Sequence, residues 1–314
     1  MRILGLTYKL EAYRRLGISD DRSLCEREVN STGTPKASAT VKPIKPETIG
    51  EYWEYCDRRD WFMKQPFQFS GRWTAAIFLT GQVLVRLFKG RLYRHKILEQ
   101  MVTAGPGALL PVLLVTGASG MIFTLQMGRY LSEYNALNAL GGAFGEAFCR
   151  ELAPILTACV VAGQVGSAFA AEIGAMRVTE QIDALQMLRT DPINYLVIPR
   201  TIACCFMVPI LTIFALTVGL GAGTAIAVQF YQISTGAFLD SVQAFLSPGD
   251  VAATLFKAFI FGAIDALVGC SWGLTTRGGA KEVGQSATTA VVTAWILIFA
   301  SDLVLSLLLY GNPI

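Results

Sequence analysis

Charge is scarce in this chain. Only 16% of its 314 residues are charged and 53% are hydrophobic, with a mean hydropathy of +0.48, whereas soluble domains carry roughly a quarter charged residues. That balance excludes an ordinary soluble domain. Histidine is scarcer still, with His95 alone. Without a cluster of His, Cys and Asp the chain lacks the constellation an integral membrane enzyme needs. The cysteines, Cys25, Cys56, Cys149, Cys159, Cys204, Cys205 and Cys270, form no CxxC pair and no metal-ligand spacing with His95. They read as small apolar packing residues, so no metal and no disulfide is expected. The sequence also has no G-x-x-x-x-G-K-[ST] loop, and so no phosphate cradle of that kind for ATP.

Long uncharged runs are what it has instead. They extend from Gln100 to Gly128, Leu152 to Ala171, Thr201 to Leu239 and Val283 to Ser301. About 20 apolar residues cross a bilayer, so each run accommodates a span. A fifth, Val251 to Thr276, is apolar apart from Lys257 and Asp265. The run from Thr201 is too long for one crossing, so its helix is expected to end near Gln229, with Tyr231 to Asp250 a loop. The sequence predicts an all-α polytopic membrane protein.

Basic residues orient it. Arg86, Lys89, Arg91, Arg94 and Lys96 precede the first span, Arg177 and Arg189 follow the second, and Arg277 and Lys281 follow the fourth, while the opposite side has Arg129 alone. By the positive-inside rule the N-terminus faces the cytoplasm or its organellar equivalent and the C-terminus faces out. The net charge of +3 is therefore topological and does not point to nucleic acid.

Residues 1–66 differ in composition. Charges of both signs are frequent, and Ser31 to Pro46 reads as a linker. An accessory extension is expected there, and residues 67–314 form the membrane domain. Glu11, Asp20, Asp21, Glu26 and Glu28 make the extension too acidic for a good organellar transit peptide. Trp73 to Val85, thirteen apolar residues between Arg72 and Arg86, is too short to span and suits an interfacial helix.

The second span carries small residues at four-residue steps, Ala158, Ala162, Gly166, Ala170 and Gly174, beside a second row of Gly163, Ser167, Ala171 and Ala175. Such rows let membrane helices pack closely. Beyond them Val178, Ile182, Leu185 and Leu188 share one stripe, while Arg177, Glu180 and Asp183 share another. Asp191-Pro192 supplies a helix cap and a first-turn proline for the third span. Met176 to Arg189 is thus expected as an independent short helix, and its periodicity suits either a passive interfacial helix or a docking helix.

Four stretches carry a resemblance. RELAP (150–154), AGQVGSAFAAEIGAMRVTEQIDAL (162–185), DPINYLVIPR (191–200) and CSWGLTTRGGAKEVGQSATTAVV (270–292) resemble the MlaE-type permease family of ABC lipid transporters. CSWG and GGAK are most similar to its chloroplast trigalactosyldiacylglycerol branch and to cyanobacterial members. The resemblance covers Phe67 to Gly311. It implies one interfacial helix and five transmembrane helices per subunit, with a coupling helix between the second and third. It also implies a homodimer enclosing a lipid pocket, a separate ATPase that binds ATP and Mg, and a lipid-binding partner with an MCE domain.

Residue by residue, the resemblance makes Arg177, Glu180, Gln181 and Asp183 contacts to the ATPase. It places Phe123, Leu131, Tyr134, Glu151 and Leu152 near the pocket wall. Phe123, Leu125 and Met127 suit an acyl chain in chemistry, whereas an ion path would need repeated polar groups. Arg150, Glu151, Lys257 and Asp302 align with charged family positions and suggest an intramembrane charge network. Asp265 has no such counterpart. Gln164 stands where arginine is common, and Arg189-Thr190 replaces a glycine-containing turn.

The function so implied is the permease subunit of an ATP-driven phospholipid transporter, with no catalytic site of its own and no cofactor bound by this chain. The chloroplast branch implies the inner envelope as location and phosphatidic acid as cargo; a cyanobacterial inner membrane is the alternative location. A secondary transporter for a polar solute is the competing class, and it would show broken helices around a polar midplane site.

Overall fold

A computed structural model describes residues 94–311, Arg189 apart. The extension over residues 1–66, the expected interfacial helix Trp73 to Val85 and the boundary between 66 and 67 lie outside the described residues.

Five helices are long and apolar enough to cross a membrane: α1 (Arg94–Glu133), α2 (Leu137–Val178), α4 (Ile193–Tyr231), α6 (Pro248–Thr275) and α7 (Ala280–Tyr310). Two short helices join them, α3 (Gln181–Met187) between α2 and α4, and α5 (Thr235–Phe245) between α4 and α6. No strand occurs among the described residues. The chain is an all-α, multi-pass membrane protein. Helix α1 has 40 residues, about 60 Å at 1.5 Å per residue, so it projects beyond a hydrocarbon core of about 30 Å. Its polar start before Gln100 is part of the helix.

Helix α4 is central, packing along α1 on one side and α6 on the other. Helix α2 runs across the bundle against α6 and α7, and two π-helical turns interrupt it, Phe148–Leu152 and Ala162–Gly166. A residue repeat of four drifts by about 40° per step around an α-helix. The wider second turn takes back part of that drift. Ala158, Ala162, Gly166, Ala170 and Gly174 consequently stay buried on one face, with Ala158, Ala162 and Ala170 packed among Phe261, Trp272, Ala290 and Ile298. The neighbouring row does not: Gly163 and Ala175 are exposed.

Two expectations need correction. Tyr231 to Asp250 is not a loop. Helix α4 runs to Tyr231 and closes with Gln232 in the left-handed region at φ 54°, and then Ser234 caps α5 by accepting the Ala237 N–H. Phe238 and Val242, four apart, bury one face of α5 against the start of α2. Gly141 makes that fit possible, because a Cβ there would strike the Phe238 carbonyl. Ser247 and Asp250 then close a capping box that starts α6.

Met176 to Arg189 is also not one independent helix. Met176, Arg177 and Val178 form the last turn of α2. The chain breaks at Thr179-Glu180, with Glu180 left-handed at φ 59°, before α3 begins at Gln181. Thr179 caps α2, its Oγ1 donating to the Ala175 carbonyl at 2.9 Å beside its own N–H on the same acceptor. Asp191 caps the following turn, receiving the Ile193 N–H at 3.2 Å.

Candidate functional site

Proline creates the first feature. Pro154, within the RELAP stretch of α2, has no N–H to offer the preceding turn. The carbonyls of Cys149 and Arg150 are met instead from α6: Thr254 Oγ1 donates to Cys149 O at 2.9 Å and Lys257 Nζ to Arg150 O at 3.0 Å. The π-turn Phe148–Leu152 is thus held by side chains of another span.

Lys257 has no exposed surface. Its ammonium also reaches Glu151 Oε1 at 3.1 Å, Asp302 Oδ1 at 3.0 Å and Ser306 Oγ at 2.7 Å. A buried ammonium is tolerable only when paired and hydrogen-bonded, and here α2 and α7 both supply oxygen. Arg150 turns the other way, donating from Nε to Asp250 Oδ1 at 2.9 Å and pairing with Glu146, while its guanidinium lies 4.6 Å from the centre of the Tyr310 ring. The structure therefore brings Arg150, Glu151, Lys257 and Asp302 to one end of the bundle. It adds Glu146, Asp250, Ser306 and Tyr310, which the sequence reading did not single out. Asp250 lay in the segment read as a loop. Glu146 stands one helical turn before Arg150, and that spacing was the available signal.

Acids outnumber bases in this network. Glu146, Glu151, Asp250 and Asp302 face Arg150 and Lys257. The Glu151 side chain keeps 40% of its surface exposed against 10% for Asp302, so of the two carboxylates on Lys257 it is the one that opens outward.

Next to it lies an apolar wall. Phe123, Leu131 and Leu152 pack with Met127 against the buried cluster of Phe144, Phe148 and Phe238. Phe123 and Phe148 sit 6.0 and 5.3 Å from the Phe144 ring. Tyr134 stands apart at 78% exposure. Leu125 contributes its carbonyl, which receives the Tyr231 hydroxyl at 2.7 Å. A separate groove of about 450 Å³ lies between α1, α2 and α7, lined by Val115, Leu156, Cys159, Val160, Gly163, Gln164 and Trp295. None of the pocket residues named from the sequence lines it.

The other end of the bundle carries the α2–α3 break. Arg177 Nη1 donates to Asp183 Oδ1 at 2.7 Å across it, joining the last turn of α2 to α3. Glu180, Gln181 and Asp183 are exposed, whereas Ile182 is buried and Leu185 packs on the core. The short helix is anchored on one face and presents acid and amide on the other. Behind it Arg200, 6% exposed, donates to Glu172 Oε2 at 2.8 Å and links α4 to α2. The sequence reading missed that pair, although Glu172 and Arg200 each end an uncharged run.

Five spans, an anchored polar helix between the second and third, and an ion-paired cluster at the opposite end define a membrane permease. The profile of the Permease MlaE family matches residues 97–308, and the chain belongs to that family. It is 54% identical over 239 residues to a probable ABC transporter permease of Synechocystis sp., covering 76% of this chain and 91% of the relative. It is 42% identical over 241 residues to the chloroplast protein Trigalactosyldiacylglycerol 1 of Arabidopsis thaliana, covering 77% and 69%. A probable ABC transporter permease of Rickettsia prowazekii is 38% identical over 224 residues, covering 71% and 86%.

Proposed function

We propose that this permease is the membrane subunit of an ATP-driven ABC lipid transporter and that α3 is its coupling helix. The observation that carries the reading is the α2–α3 break: Glu180, Gln181 and Asp183 project from a helix whose other face is fixed by Ile182. An exposed polar face on a short anchored helix suits a soluble partner. ATP and Mg belong to that partner, a separate ATPase, since this sequence has no phosphate-binding loop of the G-x-x-x-x-G-K-[ST] type.

The cargo is a phospholipid, phosphatidic acid in a chloroplast setting. Two copies of the chain form the transport unit, and an MCE-domain protein exchanges lipid with it at the Glu151 end. Phe123, Leu131 and Leu152 supply apolar surface for acyl chains, and the exposed part of Glu151 faces the headgroup route. Partner closure pushes α3, and Arg177–Asp183 passes the displacement to the end of α2. The chloroplast inner envelope or a bacterial inner membrane is the location, in keeping with relatives from both settings.

Reconstitution with the ATPase and the MCE partner tests the coupling role. Glu180→Lys is expected to abolish lipid-stimulated ATP hydrolysis while leaving the permease folded. Full assembly and undiminished stimulation in that variant would remove α3 from the role.

A further inference from the structure

Of the buried acids in the described spans, Asp250, Asp265 and Asp302, Asp265 is the one that the charge network leaves out. It lies midway along α6, is 1% exposed, and neither carboxylate oxygen has a hydrogen-bond partner among the described residues. Lys257, two turns earlier on the same helix, is already shared by Glu151 and Asp302. An ionised carboxylate so placed would have neither water nor a counter-ion, and burying it costs far more than burying the neutral acid.

Its surroundings are close-packed backbone. One turn on either side of Asp265, a Cβ on Gly262 would strike the Cys204 carbonyl of α4, and one on Gly269 would strike the Gly166 carbonyl of α2. Gly166 ends the π-turn Ala162–Gly166, and π-turns concentrate at functional sites. Beside Asp265 the α2–α6 seam is thus a close approach of backbones at Gly166 and Gly269, flanked by Ala162 and Ala170 packed among Phe261 and Trp272. The titratable groups on the packed elements that interact with Asp265 are thiols, Cys159 of α2 and Cys204 of α4. The basic group on that side of α4, Arg200, is engaged by Glu172. Cys159 also lines the groove between α1, α2 and α7, together with Gly163 and the exposed amide of Gln164.

We infer that Asp265 is a proton-binding site at the centre of the bundle, neutral while α2, α4 and α6 are packed and ionised when the α2–α6 seam parts and water enters from the groove. The step is a simple transfer: the carboxylic O–H breaks, the proton passes to water, and the carboxylate keeps the electron pair. The packed state binds one more proton than the parted state. Rising pH therefore favours parting and falling pH favours closure. The assignment is independent of the cargo, so a failure of lipid transport leaves it standing and its own failure leaves the permease reading standing.

The test is infrared difference spectroscopy on the full chain in lipid nanodiscs. At neutral pH the wild type should show the carbonyl band of a protonated carboxylic acid that is missing from Asp265→Asn, and that band should fade at alkaline pH. Identical spectra for the two proteins overturn the proposal, and a band that survives alkaline pH unchanged overturns the release step. A measurement on the wild type alone guards against misfolding of the variant. In the wild type, passage through alkaline pH in D2O and return to neutral pH should shift the carboxylic band to lower frequency, because deuterium then replaces the acid proton. A wild-type spectrum with no carboxylic band at neutral pH contradicts the inference.

Discussion

Lys257 donates to the carbonyl of Arg150, which Pro154 four residues on leaves without its helical donor. A proline and a lysine on different spans thereby define one joint. Thr254 does the same for Cys149, so α6 holds the distorted turn of α2 at two successive carbonyls.

Replacing Lys257 by methionine is expected to lower stability by about 3–5 kcal/mol, because Glu151 and Asp302 then face each other without a cation. Adding Asp302→Asn to that variant should recover part of the loss, since the two sites share one network. Thermal unfolding in detergent reads both effects, and simple additivity would contradict the shared network.

Pro154→Ala makes a sharper case. Replacing a proline inside a helix normally gains about 3 kcal/mol. Here the restored N–H would compete with Lys257 and Thr254 for carbonyls that they already satisfy, so the gain should be close to zero or negative. A melting temperature raised by the full helical gain would show that α6 does not hold the turn.

Glycines distinguish the tight seams from the open face. Gly262→Ala and Gly269→Ala each force a methyl against backbone and should cost about 1–3 kcal/mol. Gly163→Ala and Gly284→Ala meet open space and should change little. Parallel melting curves of the four variants check the contrast, and equal losses would refute it.

Glu180 combines conformation with charge. Glycine adopts its left-handed backbone more easily, so Glu180→Gly should keep stability or raise it by about 1 kcal/mol at most, read from melting curves. Coupled ATP hydrolysis should nevertheless fall, since the carboxylate is gone. Unimpaired hydrolysis would assign Glu180 to the turn alone.

Much of the architecture was legible because bilayer crossing is a one-dimensional property: Gln100 to Gly128 or Val283 to Ser301 identifies a span without any knowledge of neighbours. The features that escaped depend on neighbours. Helix α5 has only Phe238 and Val242 buried, too few to stand out in a segment that also contains Gly236, Pro248 and Gly249. The break at Glu180 carries neither glycine nor proline, and the periodicity of Val178, Ile182 and Leu185 runs through it unchanged. The partners Arg150 and Asp250 are separated by a hundred residues, and nothing local to either predicts the other. The intramembrane position of Arg150, Glu151, Lys257 and Asp302 was visible as charge within apolar runs, but their pairing required the fold. So did the displacement of Tyr134 from the wall formed by Phe123, Leu131 and Leu152.

The most direct measurement is ATP-dependent transfer of a labelled phospholipid between proteoliposomes containing this chain with the proposed ATPase and acceptor vesicles carrying the proposed MCE-domain partner. Transfer that requires ATP, this chain and an intact Glu180 is the predicted result. Transfer that proceeds equally without ATP, or ATP hydrolysis that never moves lipid, would contradict it.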